Sequence, residues 1–207
     1  MPNICLSYFD GPGRAEPIRV ALRISGISFD DHRFKFPEFA QLRAEGAFPL
    51  GSVPVMEVDG ERFVQTAAIL RYVARIGDSS LYPSDPVAAL RVDSALDSFN
   101  DTLSSALVPS MFERDPQKKL AMRAELAAGP MARVFGYVEG LIATSGGPFV
   151  AGSSLSIADL VIAAQILQIR SGHLDGLGTE QLQPYPRLNA LADAYLAEPR
   201  IAALAKK

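Results

Sequence analysis

The sequence is poor in cysteine, histidine and tryptophan, and these shortages exclude several classes of function. Of 207 residues, one is Cys, two are His and none is Trp. A single Cys5 allows no internal disulfide and no CxxC redox motif, and two separated histidines add no ligand set for zinc or for metal catalysis. We therefore predict that the protein uses no metal and works in a reducing compartment, the cytoplasm.

Charge of one sign and long apolar runs are also scarce. Lys and Arg number 20 against 23 Asp and Glu, so the formal net charge is −3, and no basic run could follow a phosphate backbone. No apolar stretch approaches the ~18 residues of a membrane span, and the first residues lack the features of a signal peptide. The sequence thus predicts no nucleic-acid partner and no membrane segment.

Hydrophobic residues are abundant, at 48% of the chain, which suffices for one large or two small globular domains. Residues 3–9 have the apolar pattern of a buried strand. Residues 14–25 have helical periodicity closed by Gly26, and residues 27–34 alternate weakly, as a second strand does. This order predicts a βαβ unit with a right-handed crossover.

A loose, partly helical stretch at residues 37–48 precedes a hairpin signal. Residues 53–58 and 62–64 flank Asp59-Gly60, the residue pair of a type I′ turn. A helix over residues 66–76, closed by Gly77, follows. The order of these elements is that of a thioredoxin-like sheet, so we predict an α/β thioredoxin-like domain over residues 1–77.

The pattern changes after residue 77. Residues 78–86 are rich in Pro, Ser and Asp and predict a linker. Beyond them, Ala- and Leu-rich helical periodicity predicts an all-helical domain over residues 87–207. Its expected helices cover residues 87–112, 115–128, 130–145, 157–170, 187–196 and, in a short segment, 200–205.

Tyr8 ends the first predicted strand, just before a glycine-rich turn and a helix start. Such a junction, with the guanidinium of Arg14, favours an anion. A phenol is protonated at neutral pH, and a hydrogen bond from it to a sulfur stabilises the thiolate. The alternative is that Tyr8 only ends the strand, with its ring packed and its hydroxyl in water.

Ser52-Val53-Pro54 and Gln65-Thr66 together outline a site for a small acidic peptide. A cis bond before Pro54 would turn the backbone of Val53 outward, where it could pair with a peptide as an added strand does. Thr66, at the start of the next helix, offers a hydroxyl beside free N–H groups to a carboxylate. Taken singly, Thr66 is an N-cap and Pro54 an edge-strand proline.

Ser156 and Asp159 predict a capping box at the start of the helix over residues 157–170. An apolar run follows them, so we assign this pair a structural role.

Four motifs are together similar to those of one family. They are Tyr8 with GRAE, VPVMEVDG, the Gln-Thr pair before AILRYVAR, and LSIADL. Along its whole length the chain resembles the cytosolic glutathione S-transferases of the tyrosine type, which comprise the alpha, mu, pi and sigma classes, and it looks nearest to sigma or pi. The resemblance implies a homodimeric detoxification enzyme that conjugates the thiolate of its co-substrate glutathione to small hydrophobic electrophiles.

The resemblance also implies roles for individual residues. Tyr8 donates to the glutathione sulfur, Arg14 reinforces the thiolate, and Val53 pairs with the cysteinyl unit ahead of cis Pro54. Gln65 and Thr66 are implied to contact the γ-glutamyl end, and Arg43 the glycyl carboxylate. Asp101 is implied to reach the glutathione of a partner subunit. The electrophile is expected in a pocket between the domains, lined by Phe9, Gly13, Leu107 and Met111.

The chain departs from the family pattern at three places. Ser52 stands where the family has a glutamine that contacts glutathione. Leu50 occupies the position of an aromatic residue that docks into the neighbouring subunit, for which Phe48 could substitute. Phe36 or Phe39 could fill the space where the family often has a tryptophan.

Three alternatives stay open beside the transferase. A glutathione-dependent isomerase, such as a prostaglandin D synthase, has the same fold. A non-catalytic carrier of the crystallin type also shares it, although an intact Tyr8 and Arg14 argue against loss of turnover. A thiol-disulfide oxidoreductase needs a cysteine at the start of the first helix, where this chain has Gly11-Pro12-Gly13.

Overall fold

Residues 2–77 and 80–204 are described by a computed structural model, apart from the side chains of residues 101–105. The chain divides into two units, Met1–Ser79 and Ser80–Lys207. The first contains a mixed sheet with helices and the second is helical, so the predicted fold class, a thioredoxin-like domain followed by an all-helical domain, is confirmed.

The first unit is built on a four-stranded sheet in the order β2-β1-β3-β4. Strands β1 and β2 are parallel, whereas β1 with β3 and β3 with β4 are antiparallel. In chain order, its elements are β1 (Ile4–Phe9), α1 (Glu16–Ile24), β2 (Asp30–Phe34), α2 (Phe36–Ala44), β3 (Val55–Val58), β4 (Glu61–Val64) and α3 (Thr66–Ile76).

The register of the sheet brings three connecting segments to one edge. Val55, at the start of β3, pairs with Ser7 near the end of β1 and with Val64 at the end of β4. The turn after β1, the segment before β3 and the residue after β4 therefore lie at the same end of the sheet. Tyr8, Val53 and Gln65, which the sequence analysis predicted to be site residues, lie in or next to these three segments.

The second predicted strand is shorter than expected, because it begins at Asp30 and not at residue 27. The end of α1 explains the difference. Gly26 has φ +68°, its N–H donates to Arg23 O at 3.1 Å, and the Ile27 N–H donates to Leu22 O at 2.9 Å. This is a glycine-based helix end, and it uses the N–H that Ile27 would need in the strand ladder.

The predicted hairpin is present between β3 and β4. Asp59 has φ +52° and Gly60 has φ +90°, the positive values that a type I′ turn requires at both central residues. Strand β3 begins at Val55, two residues later than predicted. Pro54 has no N–H to give to the ladder, and its peptide bond with Val53 is cis.

Helices make up the second unit, and α8 lies at its centre, packed against two others, α4 and α9. Residues 157–163, the first two turns of α8, are all buried. Among the described residues no helix has the length and apolar character of a membrane span. The helices are α4 (Pro86–Asp97), α5 (Ser104–Phe112), α6 (Pro116–Leu126), α7 (Ala132–Ala143), α8 (Ile157–Arg170), α9 (Pro186–Ala197) and α10 (Pro199–Leu204).

Two π-helical segments lie between helices in the described part of the second unit, and the first of them interrupts a predicted helix. Ser98–Leu103 separates α4 from α5 inside the run predicted as one helix over residues 87–112. Ala127–Met131 separates α6 from α7 and contains Pro130, which has no N–H to donate. The sequence also missed a short 3-10 helix at Thr179–Leu182.

The start of the second unit is anchored within the unit. Leu81 is fully buried, and its carbonyl accepts from the N–H of Ile157 at 2.9 Å. The Tyr82 hydroxyl donates to Asp93 at 2.7 Å. Leu81 and Tyr82 belong to the segment that the composition predicted to be a linker. These hydrogen bonds attach them to α8 and α4, respectively.

Candidate active site

Tyr8 lies one residue before the end of β1, with its side chain half-buried. Its phenol oxygen accepts a hydrogen bond from the backbone N–H of Arg14 at 3.1 Å. Because this bond uses a lone pair of the oxygen, the hydroxyl keeps its proton for a second hydrogen bond. An amide donor at the oxygen also polarises the O–H bond and makes the phenol a better donor.

Gly13 makes room for this phenol. Its φ is +41°, and a Cβ built on it would lie 2.5 Å from the Tyr8 hydroxyl oxygen and 2.8 Å from a ring carbon. A side chain at position 13 is therefore incompatible with this position of Tyr8. The sequence predicted Gly13 as part of the electrophile pocket, and the structure places it directly against the phenol.

Arg14 contacts Tyr8 through its backbone. Its side chain is exposed, and the hydrogen bond to the phenol comes from the main-chain N–H. The reinforcing role predicted for the Arg14 guanidinium stays a prediction.

Arg19 is a residue of this site that the sequence analysis missed. It is fully buried, and its guanidinium binds Asp31 at 2.9 Å and Gly11 O at 2.6 Å, with longer contacts of 3.4 Å to Phe9 O and Pro12 O. It also lies 5.9 Å from the centre of the Tyr8 ring. Arg19 thus holds the turn that carries Gly13 and Arg14.

The position of Arg19 in the helical pattern could have indicated that it is buried. On α1 it falls four residues after Ala15 and three before Leu22, both fully buried, and so lies on the apolar face. A buried arginine needs a partner. Asp31 provides the negative charge: burial raises the pKa of its carboxyl, but hydrogen bonds from Arg19 and Arg33 outweigh burial and hold that pKa below its usual value.

The predicted peptide-binding segments lie beside this turn, at the same edge of the sheet. The Val53-Pro54 bond is cis, Val53 is half-buried and Ser52 is exposed. Gln65 is the N-cap of α3 with φ +76°, and Thr66 is the first residue of the helix, 7% exposed. A non-glycine residue with positive φ is strained, and such strain is concentrated at functional sites.

The Gln65 side chain makes no capping hydrogen bond to α3 and is exposed. The first N–H groups of a helix have no acceptor within it, so the start of α3 presents donors and an amide side chain at this edge. The residue type of Thr66 also predicted an N-cap there, but the structure assigns that position to Gln65.

Arg43, on α2, lies along the loop that leads to Ser52. A Cβ on Gly51, whose φ is +60°, would come within 3.1 Å of the Arg43 Nε. The side chain of Arg43 therefore crosses the backbone immediately before Ser52, and glycine at position 51 allows this approach. The structure thus brings Arg43 next to the predicted peptide site.

An apolar cluster packs against the segments that carry Tyr8, Arg43 and Val53. Its buried members are Phe34, Phe48 and Val55. Phe48 is 6% exposed, which leaves its ring unavailable for docking into another subunit, whereas Leu50 is 63% exposed. Partly buried residues packed against the cluster come from every segment of the site: Phe9, Phe39, Leu42, Ala47, Val53 and Val64.

The remaining predicted residues belong to the second unit. Leu107 is buried and Met111 is half exposed, both on α5. The side chain of Asp101 lies outside the described residues.

Asp159 is fully buried at the start of α8. Its carboxylate accepts from the Ser156 N–H at 2.8 Å, the Ser156 hydroxyl at 2.6 Å and the Val150 N–H at 3.0 Å. Burial raises the pKa of Asp159 from 3.8 to about 6, although the hydrogen bonds from Ser156 and Val150 oppose the rise.

Cys5 is placed where it is a poor nucleophile. Burial and the nearby carboxylate of Asp30 raise the pKa of the Cys5 thiol above its ordinary value, so it stays protonated at neutral pH. Within residues 2–77 and 80–204, no three His, Cys, Asp or Glu side chains are grouped to hold a metal ion.

Comparison with known sequences decides the family. The model described as "Glutathione S-transferase, N-terminal domain" matches residues 5–75, and "Glutathione S-transferase, C-terminal domain" matches residues 100–207. The chain belongs to the glutathione S-transferase family. The family uses glutathione as a co-substrate, and the predictions of this family and of a glutathione S-transferase enzyme are confirmed.

Individual relatives agree with this assignment. Glutathione S-transferase 1 of Ascaris suum is 32% identical over 185 residues, which cover 84% of this chain and 87% of the relative. A nematode-specific transferase of Caenorhabditis elegans superposes with a TM-score of 0.86 at 26% identity, over 100% of this chain and 97% of that one. The sigma or pi class stays a prediction.

One solved relative has a different name. The structure of prostaglandin synthase D of Nilaparvata lugens matches with a TM-score of 0.83 and 28% identity, covering 100% of this chain and 98% of the other. The isomerase alternative therefore remains open for this transferase.

Replacing Arg19 with methionine should impair the transferase through Tyr8. The change keeps the buried volume but leaves the Gly11 and Pro12 carbonyls and Asp31 without their cation, so the turn loosens and the Arg14 N–H moves from the phenol. We expect kcat/KM for conjugation to fall at least fivefold, on the order of 1 kcal/mol of transition-state stabilisation. Steady-state kinetics with saturating glutathione measure it.

Arg23→Met is the control. Arg23 also faces Asp31, but it is partly exposed and its distance of 3.7 Å from the carboxylate is longer than that of Arg19. A matching loss in both variants would show that Arg19 acts only through general stability. The pKa of the bound glutathione thiol separates the two cases further, since a purely structural role does not raise it.

Proposed function

We propose that Tyr8 activates glutathione for attack on small hydrophobic electrophiles. The observation that carries the proposal is the Tyr8 hydroxyl, whose oxygen accepts from the Arg14 N–H and whose O–H is left to donate, at the edge of the sheet where Val53 and Gln65 also lie. A protonated phenol there can donate to a bound sulfur. Loss of the thiol proton to solvent leaves the thiolate as the nucleophile.

The energy required is within reach of these groups. A free thiol with a pKa near 8.5 is only a few per cent thiolate at pH 7, and lowering that pKa by two units needs ~2.7 kcal/mol of selective thiolate stabilisation. Charge-assisted hydrogen bonds of this kind contribute ~1.5–3 kcal/mol each. The phenol, the exposed Arg14 guanidinium and the nearby helix start are the contributors.

The peptide is bound by the segments around the phenol. The backbone of Val53 pairs with the cysteinyl unit beside cis Pro54, while Gln65 and Thr66 bind the γ-glutamyl carboxylate at the start of α3. Arg43 lies beside Gly51, the residue before Ser52, and Arg43 and Ser52 serve the glycyl end. The strained φ of Gln65 supports this assignment, because it holds an exposed amide side chain at the helix start.

The thiolate then attacks the electrophile. In displacement, its electron pair forms the C–S bond while the halide leaves with the electron pair of the broken bond. In conjugate addition, the new C–S bond is followed by protonation of the neighbouring carbon from water. Phe9 and Gly13, beside Tyr8, face the electrophile in this proposal.

The reaction is tested with a panel of electrophiles. Glutathione is combined with chlorodinitrobenzene, an enone, an isothiocyanate, an organic hydroperoxide and a prostaglandin endoperoxide. Conjugation of at least one of the first three supports the proposal. Turnover of the endoperoxide alone would favour the isomerase, and binding of glutathione without any turnover would favour the carrier.

We also propose that the protein acts as a cytoplasmic homodimer. Exposed apolar side chains support the dimer: Phe63 lines a groove of about 510 Å³ with Met56 and Tyr72, and Val87 and Leu90 on α4 are each 65% exposed. The cytoplasmic location is supported by the single cysteine, which allows no disulfide within the chain.

Asp101→Asn tests a contribution across this dimer. If Asp101 reaches the γ-glutamyl ammonium in the partner subunit, loss of its charge should weaken glutathione binding by roughly 1–2 kcal/mol, about five- to thirtyfold. Calorimetric titration with glutathione measures the change. Asp97→Asn, one helical turn earlier, is the control. A fully active monomer in sedimentation experiments would refute the cross-subunit role.

A further inference from the structure

Helix α2 carries a residue of the proposed glutathione site, but it is weakly attached to the sheet. Arg43 lies near the end of this helix, beside Gly51. No residue of α2 is buried, and its contacts with the apolar cluster are made by the partly buried Phe39 and Leu42. Elements with few buried apolar contacts open at a low cost in free energy. A further contact that holds α2 in place therefore affects the site.

His32, on β2, makes such a contact. Its Nε2 lies 3.9 Å from Oε1 of Glu38, in the first turn of α2. Its other ring nitrogen, Nδ1, lies 3.2 Å from the hydroxyl of Ser7, the residue on β1 that pairs with His32 in the sheet. Cys5, two residues before Ser7 and on the same face, has the protonated thiol described above. His32 thus connects β1 and β2 to α2.

The Ser7 contact keeps the imidazole oriented in both of its protonation states. A hydroxyl can donate to a neutral ring nitrogen and can accept from a protonated one. The bond at Nδ1 therefore persists when His32 gains a proton, and Nε2 stays directed at Glu38. A histidine imidazole changes its charge between pH 5 and 8, so the contact with α2 is an ion pair only towards the acidic end of this range.

The other neighbours of His32 on this face also favour its protonated form. Asp30, two residues earlier on β2, provides a second carboxylate on the same face. The centre of the Phe34 ring is 5.6 Å from that of the imidazole, within the distance of a cation–π contact. The cations Arg33 and Lys35 alternate with His32 along the extended chain and so fall on the other face of the sheet.

We propose that His32 is a positioning residue for glutathione binding: its pair with Glu38 holds α2 against the sheet and thereby keeps Arg43 at the glycyl end of the peptide. The proposal rests on the function proposed above and adds a dependence of the same site on pH. The side chains of His32 and Glu38 are 41% and 52% exposed, and exposed ion pairs contribute modestly. The expected change in glutathione affinity is therefore about two- to fivefold.

Calorimetric titration with S-methyl glutathione at pH 5.5 and at pH 8.0 tests this proposal. The ligand has no thiol, so thiolate formation beside Tyr8 does not contribute to the pH dependence of its binding. We expect the ratio of the dissociation constant at pH 8.0 to that at pH 5.5 to be about two- to fivefold larger in the wild type than in His32→Gln. Glu38→Gln should behave as His32→Gln does, and it carries the test if His32→Gln does not fold.

Two control variants separate the ion pair from other effects of charge. His173→Gln removes the other histidine of the chain, which is exposed in the second unit and bonds Ser171 at 2.7 Å. Glu45→Gln removes a carboxylate at the opposite end of α2, where Glu45 accepts from Gln41 of the same helix at 2.9 Å. Both controls should retain the wild-type ratio.

A shorter ligand shows whether His32 acts through the glycyl end. The dipeptide γ-glutamyl-S-methylcysteine lacks glycine, so its ratio of dissociation constants should be the same in wild type and His32→Gln. Equal ratios in these two proteins for S-methyl glutathione, or a difference of the same size for the dipeptide, would overturn the role of His32 while leaving the proposed function intact. Failure of the wild type to bind S-methyl glutathione would instead refute the proposed function.

Discussion

Tyr8→Phe is expected to lower kcat/KM for conjugation at pH 6.5 at least tenfold. The change keeps the ring, its contact with Phe9 and its fit against Gly13, but it removes the hydroxyl that accepts from the Arg14 N–H. The thiol pKa of bound glutathione should then rise by about one to two units, equivalent to ~1.4–2.7 kcal/mol. Kinetics over a range of pH measure the loss, which should diminish as the pH rises.

Glutathione affinity separates this effect from a damaged binding site. Val53, Gln65 and Thr66 hold the peptide in our proposal, so its dissociation constant should change less than twofold, about 0.4 kcal/mol. Gln65→Ala should show the opposite pattern, with weaker binding and a smaller effect on kcat. A Tyr8→Phe enzyme with wild-type kcat/KM at pH 6.5 would remove Tyr8 from the reaction.

Asp159→Ala should produce the largest loss of stability. The variant leaves the buried N–H groups of Val150 and Ser156 without their acceptor, and each such group costs about 1–3 kcal/mol. We expect a loss of about 3 kcal/mol in unfolding free energy and of roughly 10 °C in Tm. Thermal and urea unfolding measure these changes. Glutathione affinity of the folded fraction should be near normal.

Asp193→Ala is the matched control for Asp159. Asp193 forms an ion pair with Arg170 at 2.6 Å, but its side chain is 66% exposed, and exposed pairs contribute at most about 1 kcal/mol. A loss as small in Asp159→Ala as in this control would show that the buried carboxylate does not fix the start of α8.

The stability difference between wild type and Asp159→Ala should depend on pH. Because burial raises the folded-state pKa of Asp159 to about 6, above its ordinary 3.8, the folded state holds the proton more tightly than the unfolded chain. The stabilisation is complete below the ordinary pKa and is lost as pH rises through about 6. The loss caused by the alanine variant should therefore be larger at pH 5 than at pH 7.5, by roughly 1 kcal/mol.

Local signals in the sequence predicted the parts of the fold that depend on neighbouring residues. Asp59-Gly60 specifies a turn that needs two positive φ values, and these are present. Helix α8 has the predicted bounds, because Ser156 and Asp159 mark its start and an apolar run continues it. By contrast, no local pattern distinguishes a π-helical segment such as Ser98–Leu103 from a regular helix.

Those residues of the candidate site that belong to a local sequence motif could be predicted from the sequence. Tyr8, Pro54 and Gln65 were located by their positions at the ends of strands and at a helix start. Arg19 was not, because its role depends on carbonyls brought together by the turn and on Asp31 from another strand. The positive φ of Gln65 was also unpredictable, since glycine is the residue that usually adopts it.

The central claim is that the Tyr8 hydroxyl stabilises the glutathione thiolate. The most direct measurement is an ultraviolet absorbance titration of the thiolate in the glutathione complexes of wild type, Tyr8→Phe and Ser7→Ala. Ser7 is the control because it is adjacent on β1, points to the opposite face of the sheet and bonds His32 at 3.2 Å. The account predicts a thiol pKa raised by about one to two units in Tyr8→Phe and unchanged in Ser7→Ala; a shift in Ser7→Ala alone, or in neither variant, would contradict it.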